Sequence, residues 1–598
     1  MICSKRSVSS FFLVLVLVFT FIESPAAALA ATGTNSAEAA TALAESQRIQ
    51  HVISRLTFGA RPGEIERVSK IGIDAFIRQQ LDPDGTDDAD LAKKLDKLPT
   101  LALATPNLAE QYNPPKPPPS PTPSPAASPA ATNMTTADAK MTDTKSDAAM
   151  TGTQTAPVVA PKPSPTPTPK PTPTPKNPGM VVNELQRAKL LRAVYSDRQL
   201  YEVMVDFWEN HFSIFANKDA DRWMLTGFDR DAIRPFAFGR FRDLLGAVAH
   251  SPAMLFYLDN WQSSVVKEYP ATKDKPARKT GGINENYARE LMELHTLGVD
   301  GGYTQKDVQE VARCLTGWTI RKPNEEGVFV YNPQAHDNGE KTVLGQRIAA
   351  GGGIADGERV LDILAKHPST AKFIAAKLAR RFLGDNPPAA AVERAAKVFL
   401  ATDGSIAETL KSIITSKEFS APAAFQAKVK SPFEYVVSAL RATGAETDGV
   451  GPLDWIRRMG QPVYGRVTPD GYPDRADEWM SNNDLLTRLN FASALTLNQI
   501  KGTVVKPEKI VDLNGDPAKM SSEIIDYLQL VNVSEKTRNA LDKLAGGAPS
   551  PPANQIVNTS VPAAATKWAP DAKAADKNKT IAVQLIALAL GSPEFQRK

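Results

Sequence analysis

Apolar residues recur at helical spacing along most of the chain. Between positions 200 and 211 they fall at i, i+3, i+4, i+7 and i+8, and His211 continues the same face. Similar stripes begin near positions 49, 64, 308 and 356, and the second of these predicts one helix over residues 64–81. Alternating strand patterns are scarce, since only residues 327–331 and 342–344 fit them. The pattern predicts an all-α, multi-helix bundle, with room for one short β-hairpin around residues 327–344.

Composition divides this helical pattern into parts. Residues 106–178 contain 20 of the 47 prolines, with Ser, Thr, Ala and Lys between them, and such a stretch favours extended polyproline II over a packed core. We therefore expect a Pro/Thr/Ser-rich disordered linker or insertion at 104–180. A helical unit at 45–103 is predicted to pack on the main helical domain, which we place at 182–598.

The first thirty residues have the pattern of a secretory signal peptide. Lys5 and Arg6 precede an apolar run over residues 11–22, and Ala-Leu-Ala at 28–30 supplies the small residues that a signal peptidase recognises. The apolar run is too short to span a bilayer, and so is the next longest, at 581–590. We expect cleavage near residue 30, no membrane span afterwards, and a periplasmic or secreted protein.

Cysteine content and charge exclude several classes of function. After cleavage one cysteine remains, Cys314, so neither an intramolecular disulfide nor a cysteine-based zinc cluster is expected. The net charge is only +4, with lysines and arginines spread along the chain. Nothing in this distribution predicts a nucleic-acid partner.

Five of the six histidines lie between positions 211 and 367, and the first belongs to the segment FWENHF at 207–212. The helical period places His211 beside Trp208 on the apolar face, whereas Asn210 lies off that face. His211 is therefore either a core histidine with one hydrogen-bond partner or a ligand or base that projects into a pocket.

The segment NENYARELMELH at 284–295 combines amides, carboxylates and a histidine. On a helix Asn286, Glu290 and Glu293 share one stripe, and Arg289 belongs to a ladder of alternating charge. His295 lies about 140° from the carboxylates, so a regular helix cannot aim all of them at one metal ion. Both a solvated salt-bridge face and a functional role for Asn286 and Glu290 remain open.

Two further polar groups are candidates for chemistry. His336, Asp337 and Lys341 fall in a loop with a glycine turn, where they form either an acid–base or anion-binding set or a tight turn whose Asp caps its own backbone. Arg380 and Arg381 lie near Asp385 and have either a structural or an anion-binding role.

Taken together, the motifs resemble a bacterial family known as domain of unknown function 1800. The matching segments are RLTFG at 55–59, FWENHF at 207–212, residues 284–305, LTGW at 315–318, His336-Asp337 with Lys341, HPSTA at 367–371 and PDGYP at 469–473. The resemblance implies an exported protein without an assigned activity. It also implies a partner, since genes of this family often neighbour those of a second uncharacterised exported family, number 1501, which looks like the alkaline-phosphatase and sulfatase fold.

Two classes of function follow from these observations. We favour a binding or assembly protein that works with an envelope or secreted partner, because no motif has an established catalytic spacing. The alternative is an extracytoplasmic enzyme, a hydrolase or a metal-assisted one with a divalent cation. Its catalytic candidates are His211, Asn286, Glu290, His295, His336 and Asp337. Its binding candidates are Trp208, Asn210, Arg289, Tyr303, Trp318 and Lys341.

Overall fold

The computed structural model describes residues 43–82, 85, 88–113, 177–273, 276–546 and 574–598. The predicted signal peptide at 1–30 and residues 114–176 of the predicted linker lie outside these ranges. Residues 105–112, at the start of that predicted linker, form a helix because Leu108, Ala109 and Tyr112 are buried against the main core.

The described part of the chain contains 23 α-helices and is 58% helical, which confirms the all-α class. The helices are α1 Glu45–Leu56, α2 Glu64–Ile71, α3 Ile73–Leu81, α4 Ala89–Leu95, α5 Thr105–Tyr112, α6 Gly179–Tyr195, α7 Gln199–His211, α8 Asp221–Gly227, α9 Phe241–His250, α10 Pro252–Tyr257, α11 Glu285–Glu293, α12 Gln305–Cys314, α13 Ala355–Ala365, α14 Pro368–Phe382, α15 Ala389–Ala401, α16 Ile406–Ile414, α17 Pro432–Ala442, α18 Val450–Arg458, α19 Asn482–Thr496, α20 Pro517–Tyr527, α21 Glu535–Ala545, α22 Ala574–Gly591 and α23 Pro593–Gln596. Among them none is both long and apolar enough to cross a membrane.

Four antiparallel strand pairs interrupt the helices. They are β1 Ser264–Tyr269 with β2 Arg278–Gly282, β3 Trp318–Arg321 with β4 Val328–Tyr331, β5 Lys341–Val343 with β6 Gln346–Ile348, and β7 Glu446–Thr447 with β8 Thr503–Val504. The single hairpin predicted around 327–344 is wrong, because its two strands pair with other partners. Leu344 and Gly345 both have positive φ, at 49° and 75°, so a two-residue turn folds β5 directly onto β6.

Most buried apolar residues belong to one core that runs from α1 near the start of the described chain to α23 at its end. The stripe predicted from position 200 is buried in α7. The helix predicted over 64–81 is instead two helices, because Gly72 adopts φ 82° and ψ 151° between α2 and α3. This left-handed φ is open to glycine and interrupts the helical backbone.

Helices α7, α14 and α17 are distant in sequence and meet around Arg381 of α14, which contacts Asp206 of α7 and Glu434 of α17. His367 caps α14 by accepting a hydrogen bond at Nδ1 from the Ser369 backbone N–H, at 3.1 Å. Ser431 and Glu434 form a capping box that begins α17. Glu434 also accepts from Arg381 of α14 at 2.6 Å, so one carboxylate holds α14 against the start of α17.

Candidate functional site

A polar cavity of about 220 Å³ lies between the end of α7, the face of α14 and residues 461–474. It brings together the FWENHF and PDGYP motifs, which are more than 250 positions apart. Nine charged side chains line it: Lys189, Lys377, Arg380, Arg381, Arg466, Asp206, Glu209, Asp470 and Asp474. The aromatic residues of its walls are Phe207, Phe433, Tyr464 and Tyr472.

Asn210 attaches the PDGYP segment to α7. Its amide oxygen accepts from the Tyr472 backbone N–H at 2.7 Å, and its amide nitrogen donates to the Tyr472 carbonyl at 2.8 Å. Gly471, with φ 75°, crosses so close that a Cβ there would lie 2.2 Å from the Asn210 carbonyl oxygen. The binding candidate Asn210 therefore holds one wall of the cavity in place.

The face of α14 contributes cations whose hydrogen-bonding groups are only partly used. Arg381 donates from Nη1 to Glu434, and its Nη2 lies 3.5 Å from Asp206. Its Nε and Nη2 are buried and have no hydrogen-bond partner among the described residues. Lys377 forms no ion pair with any described carboxylate, and burial lowers the pKa of its amine to about 8, with a contribution from Arg380.

The opposite wall holds a buried carboxyl group. Glu209 accepts at Oε2 from Lys189 at 2.7 Å and at Oε1 from the Tyr464 hydroxyl at 2.8 Å. Burial, and then the neighbouring carboxylate of Asp229, raise the pKa of Glu209 to about 7. Burial would also raise the pKa of Asp229, but Arg234 and Arg192 outweigh it and hold that pKa below its usual range. A carboxyl that protonates near neutral pH thus lies at the cavity wall.

His211 and His295 meet beside the cavity, although they are 84 positions apart. Their ring centroids are 6.1 Å apart, and His211 Nε2 lies 3.1 Å from the His295 carbonyl oxygen. His211 Nδ1 and both ring nitrogens of His295 are buried without a described partner. Burial, and then the charge of Lys377, lower the pKa of both imidazoles, so that both rings are neutral at pH 7.

The buried imidazole of His295 predicts a loss of stability in acid. Burial lowers its pKa from 6.5 to about 3. The unfolded chain then binds a proton that the folded chain does not, and stability falls as the pH falls through 6.5 towards 3. Between pH 7 and pH 5 this group removes about 2 kcal/mol of folding free energy.

Urea unfolding of the parent and of His295→Leu at pH 5, 6 and 7 measures this contribution. The variant should lose less stability than the parent between pH 7 and pH 5. It should still be less stable at pH 5 than at pH 7, because burial also lowers the pKa values of His211 and His51. If the free energy of unfolding changed equally with pH in the two proteins, His295 would be protonated and paired in the folded state.

The candidates of α11 lie beside the cavity but do not line it. Asn286 donates to the Leu258 carbonyl at 3.4 Å, and Arg289 donates to Gln305 at 2.8 Å. Burial, and then the charge of Glu293, raise the pKa of Glu290, and the nearby Asp470 adds to this rise. The hydroxyl of Tyr303 donates to Glu293 at 3.0 Å. Asn286, Arg289 and Tyr303 therefore have hydrogen-bond partners outside the cavity lining.

The loop containing His336 forms a separate buried network. His336 uses Nδ1 with the Thr316 carbonyl at 2.8 Å and Nε2 with Asp356 at 3.2 Å. Lys341 donates to Asp356 at 2.6 Å. Asp337 is held outside the network's interior by Arg313, with N–O distances of 2.8 and 3.2 Å. This network shares no residue with the lining of the cavity.

The two tryptophan candidates are core residues in their contacts. Trp208 is fully buried and donates from Nε1 to the Ala237 carbonyl at 3.0 Å. Trp318 is also fully buried and stacks on His250 with ring centroids 4.5 Å apart. Neither indole lines the cavity between α7 and α14.

The geometry also bears on a metal centre. Within the described ranges, no three side chains of His, Cys, Asp or Glu are placed so that they could hold one ion. His211 and His295 supply a pair only, and the carboxylates of α11 do not line the cavity that His211 lines. The donor set that a metal-assisted enzyme requires is therefore not formed by the candidates of the described chain.

A family model described as "Protein of unknown function (DUF1800)" matches residues 51–597. The chain belongs to the DUF1800 family. This match confirms the resemblance that the ordered motifs predicted. No curated protein and no solved structure matches the chain.

Several residues of the cavity of this DUF1800 protein escaped the sequence analysis. Lys377 and Tyr464 belong to no motif, and Glu209 lies off the apolar face of α7. One signal was available, since Lys377 and Arg381 are four positions apart on a helix whose neighbouring residues are apolar. Arg381 was predicted to be structural or anion-binding. It pairs with Glu434, and its buried Nε and Nη2 have no described hydrogen-bond partner.

Proposed function

We propose that this DUF1800 protein binds a small anionic ligand in the cavity between α7, α14 and residues 461–474. One observation carries the proposal: Arg381 presents buried guanidinium N–H groups without a described hydrogen-bond partner in a cavity that Lys377 also lines. A buried cation is costly unless its N–H groups are satisfied and its charge is balanced. Burial lowers the pKa of Arg381, but Glu434, Asp206 and Asp474 outweigh burial and raise it, so the charge of Arg381 is balanced. An anion supplies acceptor atoms for its unpaired N–H groups and a charge opposite to that of Lys377.

The other ion pairs of the cavity support this assignment. Lys189 is already held by Asp206 and Glu209 at 2.8 and 2.7 Å, and Arg466 is held by Asp470 at 2.9 Å. These carboxylates therefore have cationic partners of their own. On the α14 face Lys377 has no carboxylate partner among the described residues, and we place the anionic group of the ligand beside Lys377 and Arg381.

Size and polarity restrict the ligand further. A volume of about 220 Å³ is sufficient for a small organic acid or phosphate. The aromatic rings of Phe207 and Phe433 offer apolar contact beside the cations. A small carboxylate or phosphate with a short organic part matches both properties.

An extracytoplasmic enzyme is the second candidate function. The observation that favours it is the placement of Glu209, His211 and Lys377 around one cavity. Burial raises the pKa of Glu209 to about 7, lowers that of Lys377 to about 8 and lowers that of His211 well below its usual range. Ionisable groups with perturbed pKa values in a cleft are typical of catalytic sites, and also of structural ion networks.

Export and partnership are further parts of the proposal. The basic start, apolar run and small residues of positions 1–30 support export to the periplasm or the medium. The family resemblance supports a partner of the exported family number 1501. A binding protein that delivers or holds a small anion for such a partner would combine both features.

Ligand binding can be tested by calorimetry with phosphate, sulfate, acetate and pyruvate, with acetamide as the neutral comparison. We expect the anions to bind and acetamide not to bind. The Lys377→Gln variant should weaken binding about tenfold, because one charge-assisted hydrogen bond contributes about 1.5 kcal/mol or more. The matched control is Lys372→Gln, a change of the same type on an exposed position of the same helix.

Equal affinity of Lys377→Gln and the parent would remove Lys377 from the site. Failure of every anion to bind at millimolar concentration would contradict the proposed function as a whole. Circular dichroism of both variants shows whether a lost signal reflects binding or folding.

A further inference from the structure

Lys377 differs in its surroundings from the other lysine that lines the cavity. It precedes Arg381 by one helical turn on α14, so both side chains leave the same face of the helix. Its Nζ lies 5.5 Å from the centre of the Phe373 ring and makes neither a hydrogen bond nor an ion pair within the described chain. Lys189, in contrast, contacts two carboxylates.

Burial and like charge favour the neutral amine at Lys377. Desolvation lowers its pKa to about 8, and the adjacent Arg380 lowers it further than burial alone would. Asp470 and Asp474 oppose this effect only in part. An unprotonated amine carries a free electron pair, and lysines next to other cations or in dry pockets serve as nucleophiles towards carbonyl groups.

We infer that Lys377 forms an imine with a small anionic carbonyl compound, of the 2-oxo acid class, whose carboxylate is bound by Arg381. The inference rests on the proposed anion site and names the substrate class of that site. One helical turn places the two Cβ atoms about 5–6 Å apart, so both side chains can reach one small ligand. A guanidinium also suits a carboxylate, because its planar N–H groups can donate two parallel hydrogen bonds.

The step balances without any further reactant. The lone pair of Nζ attacks the carbonyl carbon, and a C–N bond forms as the C–O π bond breaks. Both amine hydrogens leave with the oxygen as one water molecule, and a C=N double bond remains. No oxidant or reductant takes part.

Proton transfer in this step can use side chains of the same cavity. The oxygen must be protonated before it leaves as water, and Glu209 carries a proton for part of the time because burial raises its pKa to about 7. The Tyr464 hydroxyl, which donates to Glu209 at 2.8 Å, links that carboxyl to the interior of the cavity. His211 also lines the cavity as a neutral base.

Lys189 provides an internal comparison within the same cavity. Burial alone would lower the pKa of its amine, but Asp206 and Glu209 outweigh burial and raise it. Its nitrogen is therefore protonated and engaged in ion pairs. The inference requires modification of Lys377 and not of Lys189, although both line the same cavity.

Reductive trapping tests the inference directly. The full chain is incubated at about pH 7.5 with pyruvate or glyoxylate and sodium cyanoborohydride, and the modified lysine is located by peptide mass spectrometry. The expected result is one saturable adduct at Lys377, formed on the order of a hundredfold faster than at an ordinary surface lysine, in proportion to the neutral amine fraction. Acetone, which lacks the carboxylate, should label Lys377 far less.

Matched variants sharpen the result. Lys377→Arg retains the positive charge but cannot form an imine, so the adduct should disappear, whereas Lys372→Arg should react like the parent. The peptide map of the unmutated chain remains decisive if Lys377→Arg fails to fold. Labelling spread over exposed lysines, or undiminished in Lys377→Arg, would overturn the inference.

Calorimetry with pyruvate, run in parallel, separates the two proposals. Pyruvate that binds without forming an adduct at Lys377 would overturn the imine and leave the anion site standing. Neither binding nor an adduct would overturn both. Binding together with an adduct confined to Lys377 supports both.

Discussion

The Gly471→Ala variant is expected to lose about 3 kcal/mol of folding free energy, from a left-handed backbone that alanine adopts at a cost and from overpacking. Gly471 has φ 75°, and a Cβ there would lie 2.2 Å from the Asn210 carbonyl oxygen and 2.9 Å from Asn210 Oδ1. The first contact is with backbone of α7, which cannot rotate away. The wall formed by residues 466–474 must therefore move.

The displaced wall should also weaken ligand binding. Asn210 fixes this segment through two hydrogen bonds to Tyr472, and the movement that relieves the Gly471 contact breaks both. Urea unfolding measures the loss of stability, and calorimetry with pyruvate or phosphate measures the loss of binding in the folded fraction.

Gly460→Ala is the matched control for this variant. Gly460 has φ 88°, but a Cβ at this position would meet no atom within 4 Å. The Gly460→Ala variant should therefore lose only about 1 kcal/mol of folding free energy, the backbone contribution, and should bind the ligand like the parent. Equal losses of folding free energy in the two variants would show that a Cβ at position 471 makes no close contact with α7.

The Lys341→Met variant is expected to lose about 3–5 kcal/mol of folding free energy, because it leaves one partner of a buried ion pair uncompensated. Lys341 Nζ donates to Asp356 at 2.6 Å and also to the Asp337 carbonyl, and the Lys341 and Asp356 side chains are 0% and 2% exposed. After the substitution Asp356 would retain only His336 as a described side-chain partner.

Two controls show whether the loss arises from the unpaired charge. The double variant Lys341→Met with Asp356→Leu should recover part of the lost stability, since it removes both charges together. Lys411→Met removes an exposed lysine that lies 3.6 Å from Glu408, and it should leave the urea midpoint nearly unchanged. A double variant less stable than Lys341→Met alone would assign the loss to packing instead.

The Lys341→Met variant also tests whether the His336 network and the cavity between α7 and α14 form one functional site. The network of His336, Lys341 and Asp356 shares no residue with the cavity lining, so anion binding should persist in folded Lys341→Met. Loss of binding in a folded variant would mean that this network belongs to the functional site after all, as the enzyme hypothesis assumed.

Local patterns were enough for the class of fold and for much of its helical content. The stripe from position 200 predicts α7 because a period of 3.6 puts those side chains on one buried face. Thr304 and Asp307 form the capping box with which α12 begins. The predictions were wrong at Gly72 and at the Leu344-Gly345 turn, because residues with positive φ redirect the chain without changing the hydrophobic pattern.

The membership of the candidate site followed from tertiary structure instead. His211 faced inward as its helical position predicted, but its neighbours Lys377 and His295 come from other elements. The His336 loop looked equally polar in sequence, yet it folded into a closed network. A motif records which groups are available, whereas burial and the partners within reach decide which of them are left unpaired.

By itself, then, the sequence determined the all-α class, the family and the positions of most helices, because these depend on periodicity, capping and ordered motifs within short stretches. Only the tertiary structure decided that Arg381 and Lys377 lie with Glu209 around one cavity, and that His336 and Lys341 do not. Pairing between distant charges depends on how helices cross, and no local pattern contains that geometry.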